Sequence, residues 1–309
     1  MAEPKPPLVV IAGPTASGKS ALALALAEQI DGVIVNADST QIYRDLPILS
    51  AAPTEEECGR AEHRLYRVQD GALPCSAAGW AALARAEVDT IHATGGTPIL
   101  VGGTGLYLRT LLDGIAPVPA IDPEVRERVR ETPLPENRAK LVTLDPAAAA
   151  RLAASDTART NRALEVILST GRTLAEWQRE REGGISSSVE LRPLILLPPR
   201  KWLYARCDER FARMIDEGAV SEVEALLARR LNPNLPVMRA IGVREIAAFL
   251  AGAMTREEAL AAGRAATRQY AKRQYTWFRR QPPASWPRFE EALDCSAVAD
   301  ALALLGGEH

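Results

Sequence analysis

A short stretch near the N-terminus has the residue types and spacing that a phosphate-binding loop requires. Residues 13–20 read Gly-Pro-Thr-Ala-Ser-Gly-Lys-Ser and fit the pattern G-x-x-x-x-G-K-[ST]. Glycines let backbone N–H groups turn inward around an anion, and the following helix adds its positive N-terminal end. We expect Lys19 to place a cation on the phosphates and the Ser20 hydroxyl to be a ligand for Mg²⁺. The predicted anion-binding residues are Gly13, Pro14, Thr15, Ala16, Ser17, Gly18, Lys19 and Ser20.

One carboxylate follows the next apolar run and is placed to meet that phosphate. The run Val33–Val35 leads through Asn36 and Ala37 to Asp38. Ligands of an open parallel sheet lie at the carboxyl ends of its strands, so Asp38 should face the same cleft as Lys19. There it could accept a proton from a nucleophile or help to hold Mg²⁺. On position alone, an Asp-Ser cap on the following helix is an equally good interpretation.

The elements that must position these residues alternate between strands and helices. We predict strands at 8–12, 33–35, 99–101 and 194–197, and helices at 21–30, at about 76–94 and from about residue 106. This alternation predicts an α/β fold with a doubly wound parallel sheet. The phosphate-binding loop at residues 13–20, the P-loop, would follow the first strand of this sheet. The strand at 99–101 ends in Gly102-Gly103-Thr104, without the acid that an NTP hydrolase usually has at a later strand end.

The pattern changes at Pro117, from which the sequence indicates helices without a convincing strand as far as about Ser188. We therefore predict that residues 117–190 form an inserted helical domain. Residues 1–116 and 191–309 would form the P-loop α/β core together with a helical C-terminal part.

Composition places the chain among globular proteins of the reduced cytoplasm. Hydrophobic residues make up 47% and charged residues 25% of the 309 residues. No run of 18 apolar residues suggests a membrane helix, and the first residues lack the pattern of a signal peptide. The four cysteines, Cys58, Cys75, Cys207 and Cys295, form no C-x-x-C pair, which argues against a structural zinc site or a disulfide framework. We expect a cytoplasmic protein with no membrane partner, acting as a monomer.

Charge is distributed unevenly although the formal net charge is only −2. The window from Ala259 to Phe289 contains no Asp or Glu and holds Arg264, Arg268, Lys272, Arg273, Arg279, Arg280 and Arg288. Such a basic stretch fits a polyanionic partner. A solvated helix face is an equally good interpretation on charge alone.

Three motifs taken together closely resemble the tRNA dimethylallyltransferase (tRNA isopentenyltransferase) family. They are the P-loop, the segment Asp-Ser-Thr-Gln-Ile-Tyr-Arg at 38–44 and the segment Gly-Gly-Thr-Gly-Leu-Tyr at 102–107. Further matches lie at 162–166, 241–245 and 272–279, so the resemblance covers about residues 8 to 290. The P-loop is shared with many enzymes, whereas the ordered set of motifs is far more specific.

The resemblance implies a role for each matching residue. Thr15, Lys19 and Ser20 would hold the diphosphate of dimethylallyl diphosphate, with Mg²⁺ beside Ser20, and Arg210 would neutralise that diphosphate. Asp38 would be the general base on the amine of an adenosine just 3′ of the anticodon, and Thr104 would line the site between donor and base. The insert and the basic C-terminal helix would bind the tRNA anticodon stem-loop. The implied tRNA-binding residues are Asp38, Ser39, Thr40, Gln41, Thr104, Arg159, Arg162, Arg239, Arg244, Lys272, Arg273, Gln274 and Arg279.

The chain departs from the family pattern in places, and other functions remain open. Residues 49–53 read Leu-Ser-Ala-Ala-Pro where the family commonly has Gly-Thr-Ala-Lys-Pro, so any role of that lysine is lost. The nearest alternative is an adenylate isopentenyltransferase that modifies free AMP and needs neither the insert nor a basic C-terminal helix. A P-loop small-molecule kinase and a non-catalytic RNA-binding module are the others.

Overall fold

The computed structural model describes residues 4–294 and 296–306, so Cys295 lies outside the described residues. The chain divides into two compact units. The first runs up to Leu111 and resumes at Ser186, and the second comprises Leu112–Ile185. No helix within the described ranges is both long and apolar enough to span a bilayer.

The first unit is built on a parallel sheet. Its strands in the described residues are β1 (Pro7–Ala12), β2 (Gly32–Asn36), β3 (His63–Arg64), β4 (Thr97–Gly102), β5 (Glu190–Leu196) and β6 (Arg288–Phe289). Their order is β3-β2-β4-β1-β5-β6, and every pairing is parallel. The predicted α/β class with a parallel sheet is thereby confirmed. The edge strands β3 and β6 were not predicted, because two residues are too few to show a pattern.

Helices account for most of the remaining chain. They are α1 (Lys19–Ile30), α2 (Pro47–Ser50), α3 (Glu55–Arg60), α4 (Ala77–Ala93), α5 (Gly105–Asp113), α6 (Pro123–Glu131), α7 (Leu134–Leu144), α8 (Pro146–Arg151), α9 (Thr157–Thr170), α10 (Leu174–Trp177), α11 (Arg200–Met214), α12 (Val220–Ala228), α13 (Val243–Leu250), α14 (Arg256–Arg280) and α15 (Ala297–Gly306). A π-helical turn at Ile215–Ala219 joins α11 to α12, and Val237–Arg239 is a 3₁₀ turn.

The centre of the sheet is buried on both faces, which explains the continuous apolar runs in its strands. In β1, Ile11 is fully buried and lies opposite Val101 of β4 and Leu194 of β5. Helix α1 packs against this sheet through Leu22 and Leu26. The phosphate-binding motif therefore connects two elements that the hydrophobic core fixes in place.

Helices α11 and α14 pack closely beside the sheet. A Cβ atom at Gly263 of α14 would lie 2.0 Å from Cζ of Phe211 on α11, so only glycine permits this approach. A capping box formed by Thr255 and Glu258 defines the start of α14. This packing places the residues next to Phe211, including Arg210, at the carboxyl end of the sheet.

The second unit consists of helices α6 to α10 with a small core of its own. Val125 and Val129 of α6 pack with Leu141 of α7 and with Leu164 of α9. Aspartates provide the N-caps of three of these helices, Asp122 for α6, Asp145 for α8 and Asp156 for α9. The observed limits of 112 and 185 lie five residues before the predicted limits of 117 and 190. That this unit binds tRNA stays a prediction.

Candidate active site at the carboxyl end of the sheet

The phosphate-binding motif forms a loop between β1 and α1. Ala16 has a φ of 63° and Gly18 a φ of 94°, and alternation of left-handed residues is the geometry that makes a backbone nest for anions. Nζ of Lys19 donates to the carbonyl oxygen of Pro14 at 3.3 Å, which holds the ammonium group over the loop. The hydroxyl of Ser17 is buried and has no hydrogen-bond partner within the described part of the chain.

Charged groups on two other segments affect the pKa of Lys19 in the phosphate-binding loop. Burial lowers the pKa of Lys19 to about 8, the negative charge of Asp38 opposes this shift, and the positive charge of Arg210 adds to it. Burial likewise lowers the pKa of Arg210, again with Asp38 acting in the opposite direction. The charges of Asp38 and Arg210 are thus close enough to Lys19 to influence its pKa.

Asp38 follows β2 and is held by the buried side chain of Asn36. Oδ1 of Asn36 accepts from the backbone N–H of Asp38 at 2.7 Å, and Nδ2 of Asn36 donates to the backbone oxygens of Asp38 and Leu65 at 3.1 and 3.0 Å. Oδ1 of Asp38 accepts from the backbone N–H of Thr40 at 3.0 Å. Asp38 therefore caps a turn, because the next helix, α2, begins only at Pro47. Its Oδ2 has no hydrogen-bond partner among the described residues.

Thr104 lies beside Asp38 because β2 and β4 converge at their carboxyl ends. A Cβ atom at Gly102 would lie 2.0 Å from the backbone oxygen of Ala37, so this approach requires glycine. Oγ1 of Thr104 accepts from the backbone N–H of Ser39 at 3.0 Å and donates to Oγ of Ser39 at 3.2 Å. The loop after β4 is thereby joined to the segment that carries Asp38.

Arg210 reaches the site from α11. Its Nη2 donates to the backbone oxygen of Ser50 at 3.2 Å. Gln41 approaches the same segment, and its Nε2 donates to the backbone oxygens of Ser50 at 3.1 Å and Ala51 at 2.6 Å. The short α2 segment therefore holds the guanidinium group in place.

Two cavities meet at Arg210. The larger, of about 990 Å³, is lined by Lys19 and Ser20 and has an excess of positive side chains. We call it the cation-rich cavity, and its charged lining residues are Lys19, Arg67, Arg206, Arg210, Arg213 and Arg264 with Glu57, Glu209 and Glu217. The smaller, of about 350 Å³, is lined by Thr15 and Asp38, and we call it the Asp38 cavity. Arg210 and Met214 line both.

Three tyrosines share a cavity with Asp38. Tyr43, Tyr107 and Tyr270 line the Asp38 cavity. Burial raises the pKa of Tyr107 and of Tyr270, and the charge of Asp38 raises both further. These hydroxyls are therefore neutral at physiological pH. Burial also raises the pKa of Cys207 to about 11, so its thiol is a poor nucleophile.

The residues predicted to bind tRNA occupy different environments. Arg239 and Arg273 line the Asp38 cavity and are exposed, and Arg244, Lys272 and Arg279 are exposed as well. By contrast, Gln274 is buried and its amide is bonded within the protein. In the second unit, Arg159 pairs with Asp156 at 3.1 Å, and Arg162 is exposed.

Several residues of the site had no role in the sequence-based prediction. Tyr43 and Tyr107 lie within two of the motifs that carried the family resemblance, and this location could have indicated that they belong to the site. Tyr270 and Arg206 lie in no such motif, and only the packing of α14 and α11 brings them to the cavities.

A P-loop after the first strand of a parallel sheet, with a carboxylate after the next strand, defines a P-loop α/β protein with an anion site beside a potential base. The family model described as IPP transferase matches residues 41–281. The chain belongs to the IPP transferase family. It is 61% identical to a tRNA dimethylallyltransferase of Sphingopyxis alaskensis over 96% of this chain and 97% of that protein. It is 60% identical to a tRNA dimethylallyltransferase of Erythrobacter litoralis over 93% of this chain and 92% of that protein.

Solved structures agree with this family. The chain is 31% identical to a full-length tRNA isopentenylpyrophosphate transferase from Bacillus halodurans, with a TM-score of 0.70, over 98% of this chain and 97% of that one. A eukaryotic dimethylallyltransferase described as acting on tRNA superposes with a TM-score of 0.75 at 28% identity, over 88% of this chain and 69% of that one. The family resemblance inferred from the sequence is thereby confirmed.

Proposed function

We propose that this chain transfers the dimethylallyl group of dimethylallyl diphosphate to the exocyclic N6 amine of the adenosine 3′-adjacent to the anticodon in tRNA, releasing diphosphate. The supporting observation is that Lys19, Arg210 and Asp38 share one electrostatic environment where two cavities meet. An anion site and a potential base are both needed for alkyl transfer to an amine.

The cation-rich cavity is the proposed site of the donor diphosphate. Cleavage of the allylic carbon–oxygen bond loads negative charge on the leaving group and spreads positive charge over the allyl unit. The P-loop amides, Lys19 and Arg210 stabilise that negative charge as it develops. Since Arg210 and Met214 line both cavities, we place the allyl group near them, where it faces Asp38.

The residues present fit a Mg²⁺ ion bound together with the diphosphate. Mg²⁺ in phosphate sites usually keeps several waters and takes few protein ligands besides the substrate's own oxygens. The described residues contain no cluster of three or more His, Cys, Asp or Glu that could hold a metal alone. Ser20 is exposed and lines the cation-rich cavity, so its hydroxyl would be the protein ligand. The ion would neutralise charge on the diphosphate.

The Asp38 cavity is the proposed site of the acceptor base. Its volume of about 350 Å³ and its tyrosine lining suit a planar nucleobase. A stacked adenine cannot reach Asp38, so the base must leave its stack. The adenine amine is a poor nucleophile, and Oδ2 of Asp38 would take its proton during attack. Such general base catalysis contributes about 10²–10⁴-fold.

Exposed cations, two of which line the Asp38 cavity, support tRNA as the acceptor. Arg239 and Arg273 line this cavity, while Arg244, Lys272 and Arg279 add charge on α13 and α14. Contacts to phosphates would hold the anticodon stem-loop and leave the base free to enter. We propose that Arg159 and Arg162 of the second unit contribute to RNA binding, and that the enzyme works as a cytoplasmic monomer.

The test is incubation with labelled dimethylallyl diphosphate and Mg²⁺ in the presence of either unmodified tRNA or AMP. Label in tRNA with none in AMP is the expected result. Label in AMP alone would establish the adenylate isopentenyltransferase alternative. A parallel assay with ATP separates the kinase alternative, because a kinase consumes ATP and the proposed transferase does not.

A further inference from the structure

One glutamine side chain joins two halves of the candidate site. Gln274 lies on α14 and is only 6% exposed. Its Oε1 accepts from the backbone N–H of Thr15 at 2.8 Å, and its Nε2 donates to the backbone oxygen of Gly103 at 2.8 Å. Thr15 belongs to the P-loop after β1, and Gly103 belongs to the loop after β4.

The loop after β4 is hydrogen-bonded to the segment that carries Asp38. The residue that follows Gly103 is Thr104, whose hydroxyl is bonded to Ser39, the neighbour of Asp38. The contact is tight, because a Cβ atom at Gly103 would lie 2.2 Å from Nε2 of Gln274. A displacement of Gln274 must therefore move the P-loop, the loop after β4, or both.

The neutral amide is matched to its two partners. A backbone N–H needs an acceptor and a backbone carbonyl needs a donor, and an amide side chain offers one of each. A carboxylate at this position could bond the N–H of Thr15 but would leave the oxygen of Gly103 without a donor. A protonated carboxyl group restores both bonds, since it has one O–H and one carbonyl oxygen.

We propose that Gln274 is a positioning residue that fixes the P-loop relative to Thr104 and Asp38, and that it does not contact RNA. This proposal rests on the proposed function. Its neighbours Lys272 and Arg273 are exposed on the same helix. Under this proposal, the exposed face of α14 presents cations to RNA. Its buried face holds Gln274, which aligns the donor site with the proposed base.

The test compares Gln274→Met with Gln269→Met, a matched change at an exposed glutamine of the same helix. Gln274→Met should lower kcat about 10–100-fold, because misplacement of reacting groups by about 1 Å can cost 100-fold. It should weaken binding of inorganic diphosphate and leave the Kd for tRNA within about twofold of the unchanged protein. Gln269→Met should change none of the three. A loss of tRNA affinity with normal kcat and normal diphosphate binding would overturn the proposal.

Gln274→Glu supplies a measurement that remains decisive if Gln274→Met does not fold. Its transfer rate should rise relative to that of the unchanged protein as the pH falls, because the protonated carboxyl group regains its bond to Gly103. A constant ratio across pH would overturn the positioning role. Binding of inorganic diphosphate gives an answer even if no acceptor is alkylated, so failure of the proposed function and failure of this proposal can be told apart.

Discussion

Arg210 donates from Nη2 to the backbone oxygen of Ser50 at 3.2 Å, so the guanidinium group is held by the last residue of α2. The first amides of this short helix are bonded in turn, because Ile48 and Leu49 donate to the carboxylate of Glu222 at 2.7 and 2.9 Å. A carboxylate on α12 therefore fixes the segment that places an arginine between the two cavities.

The first prediction concerns Asp38. Asp38→Asn should retain tRNA binding and lose about 10²–10⁴-fold in the rate of transfer, because the amide cannot take the proton of the amine. Single-turnover transfer and a tRNA binding titration measure the two effects. Asp31→Asn, at an exposed position after α1, is the control and should behave as the unchanged protein. Undiminished transfer by Asp38→Asn would exclude Asp38 as the base.

A second prediction follows from the pKa of Lys19, which burial lowers to about 8. In the proposed site the ammonium form of Lys19 would bind the diphosphate, so the affinity for diphosphate should be full below pH 8 and fall about tenfold per pH unit above it. Isothermal titration with inorganic diphosphate between pH 6.5 and 9.5 tests this, with the second ionisation of the ligand taken into account. Lys19→Arg should remove the decrease, since arginine stays charged throughout. A decrease of the same size in Lys19→Arg would assign it to another group.

The third prediction concerns the effect of Arg210 on Lys19. The charge of Arg210 contributes to the lowered pKa of Lys19, so Arg210→Gln should raise that pKa. Diphosphate binding should weaken at pH 7 because one cation is lost. The pH at which the affinity begins to fall, which follows the pKa of Lys19, should move upward. Arg213→Gln is the matched control, because Arg213 lines the same cavity without a comparable influence on Lys19. An unchanged midpoint in Arg210→Gln would contradict the coupling.

Glu222 provides a prediction about the pH dependence of stability. Burial raises its pKa, more strongly than its two backbone hydrogen bonds lower it. A raised carboxyl pKa contributes stability that is complete below the unfolded value of about 4.3 and is lost as the pH rises through the folded value. Glutamine does not ionise, so this contribution is absent in Glu222→Gln. Above pH 4.3 its free energy of unfolding should therefore fall less steeply with pH than that of the unchanged protein. Urea unfolding at several pH values measures the slope, and parallel curves would refute this.

The fifth prediction concerns packing beneath the basic helix. A Cβ atom at Gly105 would lie 2.3 Å from two ring atoms of Trp277. Gly105→Ala should therefore destabilise the protein by about 1–3 kcal/mol through overpacking. Gly59→Ala is the control, because a Cβ atom at Gly59 would meet no other atom within 4 Å, and this change should gain about 0.4–1 kcal/mol. Thermal unfolding compares them, and equal melting temperatures would count against the steric explanation.

Residue type and order alone determined much of the fold. The apolar runs before the P-loop and before Asp38 predicted two of the central strands, because strands buried on both faces must be apolar throughout. Helix α4 was predicted at about residues 76–94, and the structure places it at Ala77–Ala93 with Ser76 as its N-cap. These features are local, so the sequence contains their full signal.

Tertiary structure decided the features that depend on partners distant in sequence. Strands β3 and β6 exist only through their pairing with β2 and β5. Gln274 lies in a basic segment and was predicted to bind tRNA, yet the packing of α14 buries it against Thr15, which is 259 residues away. The hydrogen-bond partners of a side chain are set by the whole fold, whereas a phosphate loop is set by eight consecutive residues. The sequence could therefore identify the loop but not the partners of Gln274.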